Sequence, residues 1–425
     1  MELPDSLSGW LELLETRHAR PIQLGLERVA QVREALKVHS DAVVITVGGT
    51  NGKGSTCAML EAILLAAGYR VGCYTSPHLV RYNERVRING ADLGDDRLVE
   101  GFSAVEAARG DVPLTYFEHG TLAAWYCFCR EPLDVVILEV GLGGRLDAVN
   151  SIEPDCAIVT GVAMDHMDYL GDTREKIGFE KAGIFRADRP AICADPLPPA
   201  SLVAHAREVR ADLRLVTEDF GFSGDRTQWV WWSRSGTRRG GLAYPALRGA
   251  NQLLNASAVM MALETLRNRI PVSMQAVRQG LMLVELPGRF QVLPGKPAVV
   301  LDVAHNPQAA GVLSENLSNM GFFPETWAVL GMLADKDVEG VVRLIQDRVD
   351  HWVLTSLSGP RGLSAEALAE RLRAVGVRGD IRLLERPVEA FSEAKQCAQE
   401  GDRIVVFGSF LTVADVLGTI RASRH

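Results

Sequence analysis

The stretch Val43-Val44-Ile45-Thr46-Val47-Gly48-Gly49-Thr50-Asn51-Gly52-Lys53-Gly54-Ser55-Thr56 limits what the rest of the chain can be. Its β-branched run suits a buried strand. The strand breaks into a glycine-rich turn, and Ser55 through Ala67 is helix-forming material that stops at Gly68. Strand, glycine loop, lysine and helix start together make a cradle for an anion. The glycines let backbone N–H groups turn toward it, and the helix start adds partial positive charge. Lys53 can reach the outer phosphates of a nucleotide, and Ser55 or Thr56 can offer a hydroxyl to Mg²⁺. The loop departs from the common Walker pattern at Val47, where a glycine would stand, and at Gly54, which separates the lysine from the hydroxyls. A tight strand–helix connection would also explain the glycines. The legible strand and helix on either side favour phosphate binding.

A chain of 425 residues has room for two or three domains. Its 47% hydrophobic and 23% charged residues are those of a globular protein with a sizeable core. A net charge of −8 gives no bulk argument for nucleic acid, so any anionic substrate must be met by local basic groups. Seven cysteines, without a CxxC pair, point to a reducing cytosol. The acidic start, Met1-Glu2-Leu3-Pro4-Asp5, lacks a signal-peptide core, and no apolar run approaches a membrane helix. The expectation is a cytoplasmic protein without membrane or nucleic-acid partners.

Residues 6–17 read as a helix with Leu7, Trp10, Leu11 and Leu14 on one face. Pro21 through Val29 reads as a packing loop leading into a helix that ends near Val38, and on physical grounds alone Arg28 is a surface charge. After the strand Val71–Tyr74 comes Thr75-Ser76-Pro77-His78-Leu79, then an aperiodic polar stretch from Arg81 to Arg87. A long loop at a strand end beside a P-loop is where open α/β sheets hold ligands, which makes Ser76 a candidate second hydroxyl for Mg²⁺. A turn-forming Ser-Pro is the other explanation. Asp134–Glu139 is a buried strand closed by an acid, the expected place for a metal-organising carboxylate. Cys156–Thr160 repeats the design, and His166 follows it between Asp165 and Asp168. In the helix 173–183, Lys181 looks like a solvated charge. Residues 228–243 read as a β-hairpin with packing tryptophans, and Arg248 through Asn255 opens a long helix to about residue 268.

A boundary falls where Pro and Gly cluster, near Leu286-Pro287-Gly288-Arg289. The expected domains are therefore 1–286 and 287–425. Beyond the boundary, strands at 298–302, 327–330, 351–355, 381–384 and 403–407 alternate with helices, as in a Rossmann-like α/β domain. That domain lacks GxGxxG and carries Asp302-Val303-Ala304-His305-Asn306-Pro307 at the end of its first strand.

Seven stretches, in order, resemble the folylpolyglutamate synthase and dihydrofolate synthase family within the Mur ligase superfamily. They are Gly49–Ser55, Thr75–Leu79, Glu139–Asn150, Asp165-His166, Glu180–Ile184, Asp302–Pro307 and Gly408-Ser409-Phe410. The resemblance implies an N-terminal P-loop domain like the Mur ligase central domain, plus a smaller C-terminal domain on the glutamate side. It implies an ATP-dependent ligase that activates a pterin carboxylate as an acyl phosphate and joins it to L-glutamate, with dihydropteroate and reduced folates as acceptors. Carried over by position, Gly49, Thr50, Asn51, Gly52, Lys53, Gly54, Ser55, Thr56, Asn255, Arg289, Asp302 and His305 resemble the ATP contacts. Ser55, Ser76, Glu139 and His166 resemble the ligands of what would be two Mg²⁺ ions. Lys181 resembles the lysine that family members carbamylate, which opposes its bland reading. Lys53, Lys181 and His305 would take the catalytic roles. Arg28, Thr115, Phe117 and Glu118 lie in segments that meet the pterin in bacterial members, and Ser409 is placed near glutamate. Asn251 departs from the family, many members of which carry His there. The family expectation is a monomer.

A P-loop kinase acting on a hydroxyl would need neither the second domain nor glutamate. A nucleotide switch would bind ATP without substrate-dependent turnover. A peptidoglycan Mur ligase carries a further N-terminal domain, and too few residues precede Val43 for one. The sequence leaves open a monofunctional folylpolyglutamate synthase, another amino-acid ligase of the superfamily and dependence on a monovalent cation.

Overall fold

The computed structural model describes residues 3–17, 23–225, 228–247, 249, 251–378 and 380–422. The chain forms two compact units, Met1–Ala246 with Leu253–Val284, and Leu247–Gln252 with Glu285–His425. The expectations that touch Pro21, Ile22, Arg248 and Ala250 lie outside the described residues.

The first unit is built on eight strands: β1 (Val43–Gly48), β2 (Val71–Tyr74), β3 (Val86–Ile88), β4 (Ala91–Asp92), β5 (Val135–Glu139), β6 (Cys156–Val159), β7 (Pro190–Cys193) and β8 (Asp212–Leu215). They lie in the order β4-β3-β2-β5-β1-β6-β7-β8. From β2 to β8 neighbours run parallel, while β3 and β4 are antiparallel additions. Every residue of β1 and β5 is buried, as befits strands covered on both faces. The register sets Val47 beside Glu139 and Gly48 beside Val159, and Tyr74 beside Leu138. The loops after β2, β5, β1 and β6 therefore leave one sheet edge side by side, the ligand-binding edge of an open α/β sheet.

Helix Lys53–Ala66 starts directly after the glycine loop and buries Met59, Leu60, Ile63 and Leu64. Helix Met274–Leu283 crosses it at a glycine, where a Cβ on Gly280 would fall 2.5 Å from the Ile63 Cα. Trp10, Phe102 and Phe128 fill the core on the side of the helices Leu7–Arg17, Asp95–Arg109 and Tyr116–Cys129.

The stretch Arg81–Arg87 is not a loop. It forms a 3-10 turn, Tyr82–Arg85, and then enters β3. The Glu84 carboxylate accepts from the N–H groups of Leu79, Val80 and Arg81 at 2.7–3.0 Å. Side-chain satisfaction of backbone donors orders this stretch, and hydrophobic periodicity does not register it. The tryptophan hairpin gains a third strand, in a sheet of β9 (Phe220–Gly224), β10 (Gln228–Ser233) and β11 (Arg238–Ala243). Glycines in β9 mask its strand character. The long helix covers Gln252–Thr265 and stops short of residue 268.

The second unit has strands β12 (Gln291–Leu293), β13 (Ala298–Leu301), β14 (Thr326–Leu330), β15 (His351–Thr355), β16 (Asp380–Leu384) and β17 (Arg403–Phe407). Their order is β12-β13-β17-β14-β15-β16, parallel except for β12. The antiparallel edge strand β12 sits between Pro/Gly clusters that hid it from the sequence reading. Trp352, Phe407, Leu313 and Val341 are among the core residues. Among the described residues, no helix is long and apolar enough to cross a membrane.

Candidate active site

The glycine loop takes a backbone shape that side chains oppose. Gly49 has φ 139°, and a Cβ there would overlap the Thr160 hydroxyl. That hydroxyl donates to the Asn51 carbonyl at 2.7 Å, so Thr160, at the end of β6, braces the loop. Gly52 has φ 90°, and a Cβ there would lie 2.6 Å from the Asn255 Oδ1. Asn255 thus packs on the loop from helix Gln252–Thr265. The Thr50 hydroxyl donates to the Ala163 carbonyl and accepts from its N–H, tying the loop to the segment after β6. The Lys53 Nζ donates to the Gly49 and Thr50 carbonyls at 3.1 Å, and Ser55 and Thr56 are buried in the first helical turn. Thr160 was not singled out in the sequence. The available signal was its place as the polar residue closing a buried strand, the same signal that marks Glu139.

Ser76 and Glu139 meet directly, with the Ser76 N–H donating to the Glu139 Oε2 at 3.0 Å. His166 follows β6 with φ 50°, its N–H held by the Asp165 carboxylate at 2.9 Å. Among the described residues no three His, Cys, Asp or Glu side chains form a metal cage. The candidate donors are instead two serine hydroxyls, one carboxylate and one imidazole: Ser55 in the first turn of the helix after β1, Ser76 after β2, Glu139 closing β5 and His166 after β6. That set fits Mg²⁺, which usually takes few protein ligands and completes its shell with water and phosphate oxygens.

Lys181 is not a solvated charge. Only 3% of it is exposed. The reason is the glycine loop after β5. A Cβ on Gly144 would lie 2.8 Å from the Glu180 carbonyl and 3.0 Å from the Lys181 carbonyl, so helix Arg174–Ala182 approaches the loop backbone. Burial, and next the neighbouring Lys53 charge, lower the Lys181 pKa to about 7 against the pull of Asp165 and Asp147. Asp147, whose oxygens accept from Leu142 and Val149 N–H, is pushed up to about 6 by burial. Two lysines and two carboxylates thus share one electrostatic neighbourhood.

Arg28 is likewise not a free surface charge, since its Nη2 lies 2.7 Å from the Glu118 Oε1. Glu118 accepts from the Thr115 N–H, and the Thr115 hydroxyl accepts from the Glu118 N–H, closing the N-terminus of helix Tyr116–Cys129. The Phe117 ring packs on the loop after β5, where a Cβ on Gly141 would lie 2.5 Å from it. Gly25 N–H donates to the Leu146 carbonyl of that loop at 3.4 Å. Arg28 and Thr115 are therefore both bonded to Glu118, while Phe117 and Gly25, from the same two segments, touch the loop at Gly141 and Leu146.

In the second unit, the Asp302 carboxylate accepts from Phe290 and Ala304 N–H, both at 2.8 Å, and burial raises its pKa. The Arg289 guanidinium lies over the Phe410 ring at 4.9 Å. His305 bonds through Nδ1 to the Val303 carbonyl at 2.9 Å, with its ring 6.1 Å from Phe410. Ser409 is buried one residue before Phe410. These residues share the ends of β13 and β17.

A P-loop α/β unit with this strand-end chemistry, joined to a Rossmann-like unit, defines an ATP-dependent ligase of the Mur type. Models of the Mur ligase middle domain and of the Mur ligase, glutamate ligase domain match residues 47–195 and 288–410. The chain is 44% identical over 419 residues to the dihydrofolate synthase/folylpolyglutamate synthase of Escherichia coli K12, covering 98% of this chain and 96% of the relative. A structure of E. coli FolC in complex with DHPP and ADP superposes with a TM-score of 0.94 at 43% identity, over 100% of both chains. A bifunctional folylpolyglutamate synthase/dihydrofolate synthase with Mn, AMPPNP and L-glutamate bound superposes with a TM-score of 0.90 at 45% identity, over 99% of this chain and 100% of the other. The chain belongs to the dihydrofolate synthase/folylpolyglutamate synthase family.

Proposed function

We propose that the protein joins L-glutamate to dihydropteroate and to reduced folates at the expense of ATP. A carboxylate oxygen of the acceptor attacks the γ-phosphorus of ATP, and ADP leaves. The resulting acyl phosphate is attacked at its carbonyl carbon by the glutamate amine. Phosphate leaves with its bonding electrons, the nitrogen loses a proton, and an amide remains. The observation that carries this reading is that the Phe117 ring, one residue before the Arg28–Glu118 pair's carboxylate, packs on Gly141 of the same loop whose Gly144 the Lys181 helix approaches.

In this assignment the amides of Gly49–Thr56 and the Lys53 ammonium hold the phosphates. Ser55, Ser76, Glu139 and His166 hold Mg²⁺, which when bound neutralises charge on the transferring phosphoryl group. Asn255, Arg289, Asp302 and His305 contact the nucleotide. Arg28, Thr115, Phe117 and Glu118 hold the pterin acceptor, and Ser409 lies on the glutamate side. Lys181, partly neutral near pH 7, is a competent nucleophile for CO₂. The neutral amine adds to CO₂ and loses one proton, giving an anionic carbamate beside Asp165 and Asp147; counted from the ammonium, two protons are lost and a cation becomes an anion. The chain acts as a monomer by family expectation, which sedimentation at working concentration checks.

The test is ADP release with Mg-ATP and L-glutamate, comparing dihydropteroate with tetrahydrofolate. Turnover with both establishes the bifunctional synthase. Turnover with tetrahydrofolate alone restricts the reading to folylpolyglutamate synthesis. Glutamate-independent phosphoryl transfer to a stable product overturns it.

A further inference from the structure

Behind the β2 edge lies an ion pair for which the reaction above has no use. Glu61 stands on helix Lys53–Ala66, two turns after the P-loop lysine, and Arg87 stands on β3 opposite Cys73. Their side chains are 9% and 17% exposed. The Arg87 Nε and Nη2 donate to the Glu61 carboxylate at 2.8–3.2 Å, and Nη2 also reaches the Cys73 Sγ at 3.3 Å. Nη1 donates to the Thr75 Oγ1 at 3.2 Å and to the Glu84 carbonyl at 3.0 Å. Every arm of the guanidinium is used, and one arm holds the residue immediately before Ser76.

A buried ion pair is poor evidence for a stabilising role, because apolar replacements of similar volume are often neutral or better. What this pair does have is position. It bridges the helix that begins at the P-loop to the strand and loop that carry Ser76, whose N–H bonds to Glu139.

We infer that Glu61 and Arg87 form a clamp that sets Ser76 against Glu139, making Arg87 a positioning residue for divalent-ion binding that acts through Thr75. The inference rests on the reading of Ser76 and Glu139 as metal ligands. Partners one layer behind a metal ligand commonly matter tenfold or more in metal affinity.

The test is titration of Mn²⁺ into the full-length protein saturated with AMPPNP, followed by electron paramagnetic resonance, with AMPPNP affinity and thermal midpoint measured separately. Thr75→Val removes one arm and keeps the ion pair. The double variant Glu61→Leu/Arg87→Met removes the pair without leaving a lone charge. The expected result for both is Mn²⁺ affinity weakened about tenfold with the thermal midpoint held, and an Arg87→Lys variant lying between them and the parent. A raised KM for Mg²⁺ with an unchanged KM for L-glutamate should accompany it. Parental Mn²⁺ affinity in Thr75→Val overturns the clamp, and this variant decides the matter if the double variant fails to fold. Parental affinity in Ser76→Ala overturns the metal-ligand reading itself, and the clamp with it.

Discussion

Arg28 and Glu118 lie 90 residues apart in the chain and 2.7 Å apart in the structure. Glu118 spends its other oxygen on the Thr115 N–H, and the same Arg28 nitrogen also donates to the Gln23 carbonyl at 3.0 Å. One carboxylate therefore closes a helix start and fastens the segment before helix Glu27–Leu36 to it.

Removing the cation alone should be costly. Arg28→Ala leaves the Glu118 carboxylate buried without its partner, and the expected loss of stability is about 2–4 kcal/mol at neutral pH, read by urea unfolding. The Arg28→Ala/Glu118→Gln double variant should recover much of it, the non-additivity of contacting residues. If Arg28 also meets the acceptor, KM for dihydropteroate rises at least tenfold in both variants while KM for ATP holds. Unchanged acceptor KM would leave the pair a purely structural one.

Gly49→Ala tests the loop. A methyl group at φ 139° is strained, and here it would also meet the Thr160 hydroxyl. The displaced loop no longer aims its amides at phosphate. AMPPNP binding by calorimetry should fall by at least a hundredfold, with the far-UV spectrum unchanged. Thr160→Ser keeps the hydroxyl bond to the Asn51 carbonyl and should bind within a fewfold of the parent, whereas Thr160→Val should not.

Asp302 serves two buried N–H groups, so Asp302→Ala should cost about 2–4 kcal/mol by leaving both without an acceptor. Burial raises its folded pKa above the unfolded value of 3.8. The folded state then binds more protons in that window. This contribution is present below pH 3.8 and is lost as pH rises through the folded value. In the parent, the urea midpoint should carry this component between acid and neutral pH, and Asp302→Asn should lack it.

The strands, the P-loop helix and the two-unit α/β plan were legible because each rests on local patterning: β-branched runs, glycine turns and acids closing apolar strands. What local patterning could not show was which charged residues are buried. Lys181 lies on the helix face of the buried Ile177 and Gly178, but as a lone lysine in a short, charged helix it reads as a solvated charge. It is buried because Gly144, on a loop 37 positions earlier, has no side chain to hold that helix away. Arg28 and Arg87 were equally unreadable, since their partners Glu118 and Glu61 come from other elements. The ordered turn at Tyr82–Arg85 was missed because a side chain, Glu84, does the work that periodic burial does elsewhere.

Lys181 makes the last prediction, and its sign can be worked out. Its folded pKa of about 7 lies below its ordinary 10.5, chiefly through burial and next through Lys53. Between these values the unfolded chain holds the proton and the folded chain does not. In protein stripped of CO₂, nucleotide and metal, stability from this residue should therefore rise as pH increases from 7 toward 10.5 and should be flat below 7. Lys181→Met should lack that slope and be more stable than the parent near pH 6, since it buries no charge. Activity should run the other way, because the variant cannot form a carbamate. Turnover should fall at least a hundredfold, and parental activity below pH 7 should rise on adding bicarbonate. A Lys181→Ala or Lys181→Met protein with full turnover would sink the carbamate, and leave the depressed pKa as a cost of packing the helix Arg174–Ala182 on the Gly144 loop.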